Sequence, residues 1–377
     1  MWNNVIGQSR IKKILRSSLE HAKLPSAYLF LGPEGTGKDA AALELAKAVN
    51  CLDESNLGLE ACDVCANCIG IDNFSSPILT FLHARPKPSE SVGNPGPKEE
   101  DIEAIREQLA LKAADHYHNL EIPRATEIQV GQIRELRISM SRSMGIGKKR
   151  VVIMSEADTM NQQAQNAFLK TLEEPHANTM LILTSSNPHR FYPTVLSRCQ
   201  DVRFDILSRT EIAEALVDRD ELDATQAEFL SRLSAGSYSQ ARSMISEDII
   251  EMRKEIIKFL RSALSRSRKT ALAEISIFLP KAAGGSFIEK RVAVEQRLLL
   301  LTLWLRDALA LATNAATHVI NNDQREDLDK FVVNFGNPSK IIRAIGAVEK
   351  AQGLTRMQLQ LRPVMIGLVM DLESALR

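Results

Sequence analysis

The stretch Ala27-Tyr28-Leu29-Phe30-Leu31-Gly32-Pro33-Glu34-Gly35-Thr36-Gly37-Lys38-Asp39 decides how the rest of the chain is read. Five apolar residues run into a glycine-rich turn, and the turn opens an Ala-rich segment from Asp39 to Val49, so the order is strand, loop, helix. Gly32 to Lys38 fits the phosphate-loop pattern G-x-x-x-x-G-K. Its glycines let backbone N–H groups converge on phosphate oxygens, the helix N-terminus adds its positive end, and the lysine supplies a point charge. The candidate nucleotide-binding residues are Gly32, Glu34, Gly35, Thr36, Gly37, Lys38 and Asp39. The last of them breaks the pattern, because a hydroxyl that would hold Mg2+ is replaced by the Asp39 carboxylate. A like-charge approach at about 4 Å costs about 1–4 kcal/mol, depending on the local dielectric. We therefore expect a phosphate-loop fold in which ATP and Mg2+ bind weakly or not at all; the plainer account of Asp39 is a helix N-cap.

Two further runs, Arg150 to Met154 (RVVIM) and Met180 to Thr184 (MLILT), are short and aliphatic, as strands covered on both faces of a parallel sheet are. Between them, MNQQAQNAFLKTLEEP reads as a helix stopped by Pro175. A phosphate-loop ATPase needs an Asp for Mg2+ at the end of the first run, often with a Glu beside it to activate water. Here Ser155 stands in the metal position, followed by Glu156 as a candidate base and by Asp158. The alternative is that Glu156 and Asp158 open the next helix, where carboxylates favour the macrodipole. Ser186 and Asn187 follow the second run, where local turn capping accounts for both.

Cys51, Cys62, Cys65 and Cys68 form C-x10-C-x2-C-x2-C. Four thiolates at this spacing suit a closed tetrahedral Zn2+ site, with redox use of the C-x-x-C pairs as the competing account. Cys199 stands apart as a small half-buried residue.

The whole chain, 377 residues, has room for two or three domains. Hydrophobic content of 44% and charged content of 25% exclude wholesale disorder, and a formal net charge of zero excludes a global basic field for nucleic acid. The longest apolar run, Leu298 to Leu305, is interrupted by Thr302 and falls far short of the ~20 residues that span a bilayer. MWNNVIGQSRIKKIL has no export-signal pattern, so we expect a cytoplasmic protein with no membrane partner.

Residues 84–124 read as an insertion in the nucleotide fold: a Pro/Ser/Gly loop from Pro86 to Pro97, then a charged helix near Glu99 to Asp115 carrying Ile102, Ile105 and Leu109 on one face. A solvated insertion is expected, with His83, His116 and His118 as surface or loop histidines. Beyond residue 206 the pattern is helical, which divides the chain into 1–205, a small helical domain at 206–246 and a larger one at 247–377. Lys254, Lys258, Arg261, Arg266, Arg268 and Lys269 read as a solvated basic helix face rather than a DNA contact. Leu298 to Leu309 suits a buried helix.

Taken together, Ile6-Gly7-Gln8, the phosphate loop, the four cysteines, Gln132-Ile133-Arg134, Asn166 to Pro175 (NAFLKTLEEP) and Ser197-Arg198-Cys199 resemble bacterial DNA polymerase III clamp loaders, which are AAA+ proteins. The resemblance covers the N-terminal domain apart from the insertion. It implies an α/β AAA+ P-loop domain with a zinc module, a small helical lid domain and a C-terminal all-α collar that joins subunits. Hydrolysing members of the gamma/tau type carry Ser or Thr after the P-loop lysine, an opening Asp in the acidic run and a phosphate-sensing Arg in the lid. This chain has Asp39, Ser155 and Ser239 at those places, with Arg242 three residues on as a structural residue, so it resembles the delta-prime branch. The resemblance further implies that Arg198 is an arginine finger for a neighbour's ATP, that Ser186 and Asn187 stand where such proteins sense phosphate, with turn capping as the equal alternative, that gamma/tau and delta subunits, the sliding clamp and primed DNA are partners, and that the chain has no ATPase of its own. A gamma/tau-like hydrolysing subunit and an independent AAA+ ATPase are the alternatives.

Overall fold

The computed structural model describes residues 2–53, 55, 59–87, 98–141, 149–176, 178–246, 248–264, 275, 287–315, 319–357 and 359–377. Five strands, β1 (Ala27–Leu31), β2 (Leu79–Leu82), β3 (Arg150–Met154), β4 (Thr179–Ser185) and β5 (Gln200–Arg203), form one parallel sheet in the order β2-β3-β4-β1-β5. β1 and β4 are buried along their whole length, as expected of near-continuous apolar runs in the middle of a parallel sheet. Their register sets Leu29 beside Leu183 and Leu31 beside Ser185, so the two strands end level. One sheet face, with Ala27, Leu29, Leu31, Val152, Met154, Leu181 and Leu183, packs against Ile133, Leu136 and Met140 of α5 (Val130–Ser141) and Phe168 and Leu172 of α6 (Gln162–Glu173).

Helix α1 is Ser9–Glu20, and α2 (Lys38–Asn50) follows β1 through the glycine turn. α2 is buried on nearly every side, including two charged residues, Glu44 and Lys47. The Lys47 ammonium, fully enclosed, lies 2.7 Å from Glu44, 2.7 Å from Asp63 and 3.0 Å from Asp72. Burial alone would lower its pKa, but these carboxylates hold it above the usual lysine range. Asp72 closes α3 (Ala66–Asp72), the helix that carries Cys68.

The chain divides into two compact units, Met1–Arg219 with Ser234–Ala241, and Asp220–Leu233 with Arg242–Arg377. The secondary-structure elements among the second unit's described residues are all helices, including Ile249–Ala263, Phe287–Ala312, Arg325–Phe335, Pro338–Arg356 and Leu361–Leu376. The Leu-rich segment falls in the longest of these, where Leu298, Leu301, Leu305 and Ala308 are buried and Thr302 returns its hydroxyl to the Leu298 carbonyl at 2.9 Å. Arg253 lies over the Phe229 ring at 3.8 Å and pairs with Asp323. Of the basic stretch, Lys254 pairs with Glu251 and Arg261 with Asp327, all on the surface, while Arg266, Arg268 and Lys269 lie outside the described residues. No described helix is long and apolar enough to cross a membrane.

Candidate functional site: a phosphate loop filled from within

Parallel α/β sheets present their binding groups where the strands end, and here three strand ends converge. β1 delivers Gly32, β3 delivers Ser155, and β4 delivers Thr184 and Ser186. Asp39, in the first turn of α2, sits among them with its side chain 15% exposed. Ser155 Oγ donates to Asp39 Oδ2 at 2.7 Å, and Thr184 Oγ1 donates to Asp39 Oδ1 at 2.7 Å. The third partner comes from the insertion: Lys112 Nζ lies 2.9 Å from Asp39 Oδ2, with its side chain only 3% exposed. Burial alone would raise the Asp39 carboxyl, but the Lys112 charge and the three donated hydrogen bonds outweigh it and hold the group below the usual carboxylate range. The N-cap account of Asp39 is overturned, because Gly37 occupies the cap position and the carboxylate turns to the strand ends instead.

The rest of the loop is equally engaged. Lys38 Nζ donates to the Gly32 and Pro33 carbonyls of its own loop, at 2.8 and 2.7 Å, and burial pushes its pKa down. Thr36 Oγ1 returns to the Pro33 carbonyl at 2.8 Å. Gly37, at φ +91, faces the Tyr117 hydroxyl so closely that an added Cβ would lie 2.4 Å from it. Tyr117 Oη accepts from the Ile6 amide at 2.8 Å, and its ring stacks edge-on against Tyr238 at 5.0 Å. Asn119 reaches Glu34, and Ser239 donates to the Tyr117 carbonyl. The remaining cavity, about 80 Å³, is lined by Glu34, Lys38, Asp39, Lys112, Tyr117 and Ser186 among others. Small-molecule sites usually offer about 300–1,000 Å³.

The insertion is therefore not a solvated appendage. Its helix α4 (Glu99–Ala114) buries Asp101 and Lys112, and the turn after it lies on the loop because the Lys112 ammonium also gathers the His116 and His118 carbonyls, at 3.3 and 2.8 Å. Two histidines are not surface groups either. His83 is buried, with Nδ1 2.7 Å from the Ala84 carbonyl, and the His116 ring, 8% exposed, lies 3.3 Å from Asp72. Burial first, and nearby cations second, push each down to about 4, so both are neutral at pH 7. His118 Nε2 lies 2.9 Å from Gln108 Oε1, within the insertion.

Glu156 stands at the rim with φ 48, and its amide donates to Thr184 Oγ1 at 3.2 Å. Burial and the carboxylates of Asp39, Glu34 and Asp158 push its pKa up. Glu156 and Asp158 open only the single 3₁₀ turn Ala157–Thr159; α6 starts later, capped by Asn161, whose side chain accepts from the Ala164 amide at 2.9 Å. Asp158 is buried and does not line the cavity. Lys112, Tyr117, Asn119 and Thr184 are the members of the site that pattern reading missed. An acid in an anion-binding loop calls for a cation, but spacing cannot choose among 47 lysines and arginines.

Two other groups complete the candidate set. The sulfurs of Cys51, Cys62, Cys65 and Cys68 all lie within 4.8 Å of one another, a donor set able to hold a metal ion. Arg198 follows the short helix α7 (Pro193–Leu196), with its side chain 35% exposed. Its guanidinium lies 2.7 Å from Glu173 and donates to the Thr194 carbonyl at 3.0 Å. Cys199 beside it is half-buried, and burial pushes its thiol up to about 12.

The strand order, the glycine loop between β1 and α2 and the acidic turn after β3 define a P-loop protein of the AAA+ class. Residues 7–208 match the family described as DNA polymerase III, delta subunit, and the chain belongs to that family. It is 26% identical to the DNA polymerase III subunit delta' of Bacillus subtilis over 367 residues, covering 97% of this chain and 96% of that protein. It is 31% identical to the tau subunit of the same organism over 255 residues, 66% of this chain and 38% of that longer protein. Among solved structures, a gamma subunit-related protein of Thermotoga maritima aligns over 97% of this chain and 99% of its own, at 15% identity and a TM-score of 0.38. The similarity to the Bacillus subtilis delta' subunit covers more of the chain than the N-terminal domain that carries the motifs.

Proposed function

We propose that this chain is a delta-prime-type subunit of the DNA polymerase III clamp loader that helps place the sliding clamp on primed DNA without hydrolysing ATP itself. The observation that carries the proposal is the fate of Asp39: the carboxylate at the metal position is consumed by Ser155, Thr184 and Lys112. The group for a neighbour's use is Arg198, which stays on an exposed edge. A guanidinium is always charged and forks onto phosphate oxygens, and such fingers contribute about 10³–10⁵ in rate in other phosphoryl-transfer systems. Full-length coverage of the Bacillus subtilis delta' subunit favours this branch over tau, which the chain spans only in part.

In this proposal the gamma/tau and delta subunits are the partners, residues 206–246 form the lid and 247–377 the collar, and the setting is the cytoplasm. The four cysteines hold one structural Zn2+, which fixes the loop carrying Asp63 and the start of α3. Ser186 and Glu156 line a site that performs no hydrolysis, while Asp158 is buried in the turn after Glu156.

The test is steady-state ATP turnover by the chain alone and by the complex assembled with its gamma/tau and delta subunits. The chain alone should be silent, and Arg198→Ala should slow the complex at least tenfold without dissociating it. Turnover by the isolated chain that is lost with Lys38→Ala would instead make it a gamma/tau-like hydrolysing subunit.

A further inference from the structure

The substitutions at Asp39 and Ser155 account for lost hydrolysis, but they do not account for where the insertion goes. Three of its side chains end on the phosphate loop, each at a different part. Lys112 meets Asp39 at 2.9 Å, Tyr117 covers Gly37, and Asn119 takes Glu34. A fourth tie runs through the backbone, since Ser239 holds the Tyr117 carbonyl while the Tyr238 amide donates to the Gly35 carbonyl at 3.1 Å. The loop is thereby gripped from both sides by the chain itself.

We infer that residues 112–119 are the resident occupant of this phosphate loop: Lys112 is its built-in counter-cation, and Tyr117 fills the approach to the glycines, so the insertion closes the site to nucleoside triphosphates. The inference rests on the proposed reading of a non-hydrolysing subunit and assigns the closure to particular residues. Chemically, the ammonium supplies beside Asp39 the positive charge that a metal ion would bring, and it does so with two further oxygens, the His116 and His118 carbonyls, around it. Lys38, the loop's own cation, is left to its own carbonyls. A cation that belongs to the chain meets Asp39 intramolecularly, at an effective concentration set by the fold rather than by the solution, and the Lys112–Asp39 pair is the arrangement the structure shows. Asp39 thus changes role from an obstacle to phosphate into the anchor for the segment that replaces it.

The test uses the full chain and a fluorescent ATP analogue with Mg2+, read by anisotropy. Wild type and Asp39→Thr should both show no saturable binding, because Asp39→Thr restores the hydroxyl yet leaves Tyr117 in place. The triple variant Asp39→Thr/Lys112→Met/Tyr117→Ala should bind at least tenfold more tightly than Asp39→Thr. Equal binding by Asp39→Thr and the triple variant, or saturable binding by wild type, overturns the inference. Should the triple variant fail to fold, amide exchange decides: Lys112→Met should speed exchange of residues 34–39 at least tenfold while leaving 325–356 unchanged, and an unchanged loop overturns the inference. Neither readout involves Arg198 or hydrolysis, so closure can fail while the arginine-donor reading stands, and the reverse.

Discussion

Asp39 and Arg198 are both charged groups near strand ends of the same sheet, and their surroundings are opposite. Asp39 has two hydroxyls and one ammonium on its two oxygens, all within 2.9 Å, and a side chain 15% exposed. Arg198 has one carboxylate, one carbonyl and the Ser197 hydroxyl at 3.5 Å, and a third of its side chain is in water. A mostly buried charge with three close partners is expensive to extract, whereas an exposed ion pair is worth about 0–1 kcal/mol and exchanges readily with a better partner. The pairing geometry separates a charge enclosed by the chain's own groups from one held at the surface.

The largest effect that would sharpen this contrast is Lys112→Met. It strands the Asp39 carboxylate, and we expect a loss of about 3–5 kcal/mol in urea unfolding, recovered in large part by Asp39→Ser/Lys112→Met. A loss below about 1 kcal/mol would place Asp39 in the same class as the surface pair and break the comparison.

Acid should act next. His83 and His116 titrate at about 4 when folded and near 6.5 when unfolded, so the unfolded chain binds more protons between those values. Their neutral forms support stability fully above about pH 6.5, and stability falls as pH drops toward 4, by roughly 2 kcal/mol per histidine at pH 5. Asp39, held low when folded, adds its own loss only below the unfolded carboxylate range. Urea midpoints at pH 7 and 5, for wild type and His83→Gln/His116→Gln, should show the pH difference shrink in the variant.

Gly37→Ala comes third. An L-residue at φ +91 costs about 1–2 kcal/mol, and here the new methyl also meets Tyr117. Thermal unfolding should show a smaller penalty for Gly37→Ala in a Tyr117→Ala background, the remainder being backbone strain. The smallest effect belongs to the exposed edge: Glu173→Ala should change the free energy of urea unfolding by less than about 1 kcal/mol. A larger change would mean that Arg198 is held as firmly as Asp39.

The central sheet was legible in the sequence because β1, β3 and β4 are covered on both faces and read as unbroken apolar runs. β2 and β5 were not, and both are edge strands: LTFL is mostly half-exposed, and QDVR buries only Val202. The four cysteines were legible through their spacing, and their sulfurs do converge. The partner of Asp39 was not, because Lys112 lies 73 positions along the chain and helical periodicity in α4 marks Ile102, Ile105 and Leu109 rather than a buried lysine. The same blindness applied to His83 and His116, whose burial comes from tertiary neighbours that no local pattern encodes.

The Lys47 cluster sets a rule for anyone trimming this chain. Asp63 and Asp72 reach Lys47 from the cysteine-bearing loop and α3, and the His116 ring leans on the same Asp72. Excising 84–124 as a dispensable loop would remove His116 from one acid and Lys112 from another, leaving two carboxylates without the neighbours they folded against. A minimal version of the domain should shorten only the Pro/Ser/Gly stretch at 86–97 and keep every residue from 98 onward, because the helix after that stretch is masonry rather than scaffolding.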